Sequence, residues 1–172
     1  RTQAVHSRRY QDPHSADDLG QLDPQAIAAV REEAWPQPRS RDEMHEALLT
    51  LGVVSVDEAA AQPQWRQWLD ELAADARATC LHGVDGAAAV WVTAEAQAAV
   101  APLYPQAGAR PAIASPEGYA VADWDRDSAL RELLRCRLAG LGPVTAATLA
   151  APLHLPLREM QAGLLALQQD GY

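Results

Sequence analysis

The chain has 172 residues, 48% of them hydrophobic, which is enough for one compact domain or two small units sharing an interface and too apolar for wholesale disorder. Its formal net charge of −9 argues against a protein that holds nucleic acid by counterion release alone, because such a protein shows a basic face. All fourteen basic residues are Arg, and with Lys absent a G-x-x-x-x-G-K-[ST] phosphate loop cannot exist here.

The charge is unevenly placed. Residues 1–22 hold three Arg against three Asp, and residues 127–172 hold four Arg against four acids. Residues 23–126 hold seven Arg against sixteen acids and carry the whole excess. The middle of the chain therefore repels a phosphate backbone on average, and the neutral C-terminal part is the better candidate for contact. No apolar run is long enough to span a bilayer, and no signal-peptide core lies near the start, so no membrane partner and a cytoplasmic location are expected. Cys80 and Cys136 are then read as reduced, buried thiols. The start at Arg1 and the abrupt stop at Tyr172 read as those of a fragment of something longer.

Taken in order, residues 1–22 are a polar linker or arm, with Arg8 and Arg9 as a possible DNA-touching pair. Asp23-Pro24 opens the first helix, over 24–34, with Asp as N-cap and Pro in the first turn; Ile27, Val30 and Ala34 are its apolar stripe. Ser40-x-x-Glu43 is a capping box that starts a helix over 41–51, in which Met44, Leu48 and Leu51 fall at helical spacing and Gly52 is the stop. Asp57 is expected to cap a short turn after Val53-Val54-Ser55-Val56, and Pro63 to start a helix over 63–76 carrying Trp65, Trp68, Leu69 and Leu72. Thr79–Leu81 and Ala89–Thr93 read as strands around an Asp85-Gly86 turn, a β-hairpin spanning about 79–93. Three helices followed by a hairpin outline a winged helix over 23–104.

Glu95 to Tyr104 reads as a linking helix, and 105–126 as an irregular connection. Asp125 caps a helix over 127–139 whose stripe is Leu130, Leu133, Leu134 and Leu138. A Gly-Pro turn, a short helix over 145–151 and a third helix over 156–169, burying Met160, Leu164 and Leu167, complete a second winged-helix-like unit over 127–172 whose wing is missing. The expected fold is thus mainly α with small β-hairpins (α+β), in tandem winged-helix-like units.

Helix-turn-helix units place their last helix in a DNA groove. The candidate nucleic-acid-binding residues are Arg158, Gln161, Gln168 and Gln169 on that helix, with Thr145 and Thr148 on the one before. Arg and Gln can read base edges; Thr hydroxyls and helix N-terminal amides can hold phosphates. The competing reading is a scaffold whose recognition face packs on another domain. His45-Glu46 is half of an H-E-x-x-H zinc motif, but position 49 is Leu, so His45 is read as a helix-surface or interface histidine. Cys80 and His82 share one side of a strand but lack two further ligands nearby, so no metal site is expected. Glu32-Glu33 and Asp42-Glu43 read as solvated helix-end acids. The Trp65, Trp68, Leu69 and Leu72 set reads as core rather than a base-stacking platform, with Trp65, Trp68 and Leu72 largely buried.

Three blocks in series carry a family resemblance: Trp35-Pro36-x-x-Arg39-x-x-Asp42-Glu43-Met44-His45-Glu46-Ala47-Leu48, then Trp91-Val92-Thr93-Ala94-Glu95, then Arg137-Leu138-x-Gly140-Leu141-Gly142-Pro143-Val144-Thr145. Together, from about Asp23 to Tyr172, they resemble the C-terminal region of bacterial large helicase-related (Lhr) proteins, ATP-dependent DNA helicases linked to DNA repair. The resemblance implies an upstream helicase core in the same chain that uses ATP and Mg, with no cofactor and no catalytic residue in this segment. It implies an accessory role in guiding nucleic acid or mediating assembly; the acidic middle of the chain makes weak DNA binding the expectation for this segment alone, and self-association is possible. The region is also similar to the winged-helix array of bacterial interstrand-crosslink glycosylases. Gln161, Gln168 and Gln169 do not reproduce the Gln-x-Gln or Gln-x-Asp catalytic context of those enzymes. The alternatives are a piece of such a DNA-repair glycosylase, or a winged-helix transcription regulator; a regulator normally has its own Met, both wings and a basic recognition helix.

Overall fold

The computed structural model describes residues 23–83, 88–119 and 123–172. Among them are eight α-helices, one 3-10 turn and a four-stranded antiparallel sheet, an α+β fold dominated by helix. The elements are α1 (Pro24–Ala34), α2 (Arg41–Leu51), β1 (Val54–Ser55), α3 (Val56–Ala60), α4 (Trp65–Ala74), β2 (Ala78–His82), β3 (Ala88–Thr93), α5 (Gln97–Val100), a 3-10 turn (Ala101–Leu103), β4 (Gly108–Arg110), α6 (Arg126–Leu141), α7 (Ala146–Leu153) and α8 (Leu157–Gln169). The arm at 1–22 and the Asp85-Gly86 turn lie outside the described residues.

Helix starts follow the caps. The Asp23 carboxylate accepts from the Gln25 N–H at 2.8 Å. Ser40 Oγ accepts from the Glu43 N–H at 3.2 Å. Glu43 reaches back to the Arg39 N–H at 2.8 Å, one residue past the Ser40 N–H that a reciprocal capping box would bond. The full box lies at Ser55 and Glu58, which close α3 from both sides; Ser55, not Asp57, is therefore that helix's cap. Asp125 caps α6 through the Ser128 N–H at 2.7 Å. Gly52 ends α2 at φ +74, where a β-carbon would be strained and would crowd Leu133 at 3.2 Å.

The order α2, β1, α3, α4, β2, β3 is that of a winged helix. The strands pair as β1-β3-β2-β4, which adds two strands to the expected hairpin. The first, β1, pairs Val54 with Trp91 and Ser55 with Val90. The second, β4, lies in the stretch read as irregular. It pairs Cys80 with Arg110 and covers the open edge of β2, and the Thr79 hydroxyl donates to the Pro111 carbonyl at 2.6 Å. Between β3 and β4 the chain forms two short turns, α5 and the 3-10 turn, rather than one linking helix.

Side-chain alternation along the strands separates two cores. Cys80, Trp91 and Val54 face Met44, Leu48, Leu51, Trp65, Leu69 and Leu72 of α2 and α4. Leu81, Val90, Val92 and Val53 belong to a second cluster with Val100, Leu103 and the buried Leu and Met side chains of α6, α7 and α8. The sheet is apolar on both faces, and the C-terminal helices share a core with it. Close approach of α8 to α6 is set by Gly163, where a β-carbon would lie 2.6 Å from Leu134 Cδ1. Helix α1 is the outlier. It buries no residue completely and leaves Val30 at 45% exposure, so its expected stripe covers the protein only partly.

Candidate nucleic-acid interface

Helices α6, α7 and α8 form a helix-turn-helix trio that pairs no strands of its own among the described residues. Arg126 fixes its geometry. The guanidinium pairs with Glu159 on α8 at 2.7 Å and donates to the Pro102 and Leu103 carbonyls at 2.8 and 3.0 Å. Tyr104 adds a second tie, its hydroxyl donating to the Leu153 carbonyl at 2.8 Å. Burial and the loss of water around it push the Tyr104 phenol above its ordinary value.

With Met160, Gly163 and Leu167 buried, α8 turns its opposite face outward. Arg158, Gln161, Gln168 and Gln169 are all exposed; the spacing of 158, 161, 165 and 168 sets them along one stripe, interrupted by Leu165 at 56% exposure. Arg158 pairs with no carboxylate among the described residues. The other three Arg of the trio beyond residue 126 are engaged: Arg131 and Arg135 with Asp170, both at 3.8 Å, and Arg137 with Glu58. Thr145 and Thr148 are exposed as expected, but their hydroxyls are already used. Thr145 Oγ1 accepts from the Thr148 N–H at 3.2 Å and lies 2.8 Å from Thr148 Oγ1. They act first as the N-cap of α7, which leaves Arg158 and the three Gln as the exposed candidates of this set.

The first unit offers a poorer surface. On α4, Arg66 is held by Asp70 at 3.1 Å, and Gln67 bonds Glu71 at 2.8 Å. Nearby, Arg41 and Arg77 are taken by Asp75 and Asp42, each at 2.6 Å. The Arg77 guanidinium beside Asp42 holds that carboxyl below its ordinary value. This surface is exposed, charged and self-compensated, which leaves little for a phosphate.

The three sequence blocks meet in space, and what they build is structural. Trp35 of the first block stacks on Trp65, ring centroids 6.0 Å apart and 11° from parallel. Arg137 of the third block lies over the Trp35 ring at 5.3 Å, donates to the Val53 carbonyl at 3.2 Å and makes a two-pronged bond to the Glu58 carboxylate. It is only 1% exposed. Gly140 packs against Leu51 so closely that a β-carbon would lie 2.6 Å from Leu51 Cδ2. His45 of the first block reaches Glu95 of the second, Nε2 to Oε2 at 3.4 Å.

Two expectations change here. His45 is buried, at 5% exposure, because it faces inward from α2 toward the end of β3. Arg137, not Leu138, completes the buried stripe of α6, since 137 follows 130, 133 and 134 at the helical period while Leu138 is half-buried. Periodicity alone would have found position 137; the polar residue type hid it. Trp65 and Leu72 are buried and Trp68 half-buried, so this set is core with one edge in water. Cys80 is buried and Cys136 half-buried. No group of three or more His, Cys, Asp or Glu side chains converges as metal ligands among the described residues. Among the described residues, no helix is long and apolar enough to cross a membrane.

No protein-family model matches the chain, and no curated protein sequence matches it either.

Proposed function

We propose that this chain is a non-catalytic, cytoplasmic, accessory winged-helix segment of an ATP-dependent DNA helicase that works in DNA repair, where it guides nucleic acid or mediates assembly. The observation that carries the reading is the outward stripe of α8, on which Arg158 is the cation without a carboxylate partner and Gln161, Gln168 and Gln169 flank it. The three blocks that resemble large helicase-related proteins support the family, and they are adjacent in space through the Trp35–Arg137 contact and the His45–Glu95 pair. The resemblance implies ATP and Mg at a motor in the parent chain; within this segment the absence of Lys excludes only a G-x-x-x-x-G-K-[ST] loop.

The test is fluorescence anisotropy with labelled single-stranded and duplex DNA at low and moderate salt. The net charge of −9 makes weak, salt-sensitive binding the expected result. Arg158→Ala should weaken it by roughly 1–3 kcal/mol if the side chain makes a bidentate base contact, and by less if it meets only phosphate. Binding tighter than about 1 μM at moderate salt that Arg158→Ala leaves unchanged would overturn both the charge argument and the choice of face.

A further inference from the structure

A groove of about 410 Å³ lies between the segment that follows α1 and the start of α4, within the roughly 300–1,000 Å³ typical of ligand sites. Trp35, Trp65 and Trp68 line it, together with Pro36 and Pro38. Trp35 is held by its stack on Trp65, at 6.0 Å, and by Arg137 at 5.3 Å over its ring, so this aromatic wall is preformed. The polar groups of the groove are rich in donors. None of the three indole N–H groups bonds an acceptor among the described residues, yet none is closed off from solvent as the Trp91 N–H is. Gln62 and Gln64 are exposed and add two side-chain amides without a bond of their own among the described residues. Glu32 is the one charged side chain in the lining among those residues, so a phosphate or carboxylate finds no counter-charge there.

Neutral donors set between aromatic rings match a ligand made of apolar rings and acceptors, with few donors of its own. A run of prolines has that chemistry, because each residue brings a pyrrolidine ring and a carbonyl but no N–H. Its polyproline II form has no internal hydrogen bonds, so every carbonyl is free to accept, and it loses little entropy on docking in an aromatic-lined groove. Glu32, and the sixteen acids against seven Arg over residues 23–126, favour a basic flank. We propose that this groove docks a proline-rich segment of a partner protein with a basic residue beside it, its rings on Trp35 and Trp68 and its carbonyls on the indole N–H groups. No lining residue belongs to α8, so the site is independent of the nucleic-acid reading.

Proton–nitrogen correlation spectra of the full chain, titrated with a capped octaproline carrying an N-terminal arginine, test it through the Trp indole signals. The expected result is saturable shifts at Trp35, Trp65 and Trp68, with Trp124 unmoved. Replacing the prolines by alternating glycine and serine should weaken binding at least about tenfold, and replacing the arginine by glutamate at least about threefold. Trp68→Ala should weaken the arginine peptide at least about tenfold. Glu32→Arg, at an exposed position of α1, should reverse the preference for the basic flank, and it decides the matter even if Trp68→Ala fails to fold. Equal binding of the glycine–serine peptide, no saturation, or an unchanged flank preference in Glu32→Arg would each overturn the proposal. So would the same indole shifts with oligothymidylate, which would make the groove a base-stacking site, or on concentrating the free chain, which would make it a contact between copies.

Discussion

Removing Glu58 should damage this protein more than its position on a five-residue helix suggests. Arg137 is 1% exposed, and the Glu58 carboxylate is its counter-charge. With Ala at 58, the guanidinium keeps the Val53 carbonyl at 3.2 Å and the Trp35 face at 5.3 Å but has no anion. Stranding a buried charge in this way costs about 3–5 kcal/mol. The Ser55 N–H also loses its acceptor, at 2.8 Å in the intact capping box, which adds about 0.5–1.5 kcal/mol. Arg137→Met is the gentler change: it keeps the stem's volume, and the Glu58 side chain it strands is 19% exposed and within reach of water, so about 1–3 kcal/mol is expected. The double variant removes both charges and should be more stable than Glu58→Ala alone, a coupling of about 2–3 kcal/mol. Urea unfolding followed by Trp fluorescence reads all four proteins, provided the m-value stays constant. If Glu58→Ala costs less than about 1 kcal/mol, or the two changes simply add, the pair behaves as an exposed one and the latch reasoning fails.

Three further outcomes are expected. Because the folded state keeps the Tyr104 proton that the unfolded chain releases above about pH 10, stability from this residue is full below that pH and falls as pH rises beyond it. Tyr104→Phe should cost about 1 kcal/mol at neutral pH through the lost bond to Leu153 and flatten the alkaline slope; an unchanged slope would reject the assignment. At Gly163, a Val side chain would collide with Leu130 and Leu134, and thermal unfolding should show a loss of at least about 2 kcal/mol, so a neutral result would mean that α6 and α8 are not so closely packed. Hydrogen bonds from Ser128 hold the Asp125 carboxyl below its ordinary value, so its cap stabilises above the usual carboxylate range and is lost as pH falls through the depressed value. The stability gap between wild type and Asp125→Ala should therefore narrow in acid, and a gap independent of pH would contradict it.

The sequence by itself determined where the helices opened by Asp23, Ser40 and Asp125 begin and which segments pair as a hairpin. Asp23, Ser40 and Asp125 bond N–H groups two or three residues ahead, so their signal is local and needs no knowledge of the fold. The strands of β2 and β3 were legible for the same reason, being adjacent in sequence. The outward face of α8 was readable because its buried positions repeat at the helical period. Only the tertiary structure decided which residues touch across long separations. Arg137 is buried because partners 79 and 84 residues away, Glu58 and Val53, come to it; the helical period marks its position, but its residue type reads as a solvated Arg. His45 turns inward because Glu95 and the end of β3 lie there. The strand β4 is too short and polar to declare itself, and exists because β2 offers an unpaired edge. The second apolar face of the sheet became evident only when α6, α7 and α8 joined its cluster. Caps and periods act over one or two turns of chain; burial is a property of the assembled volume.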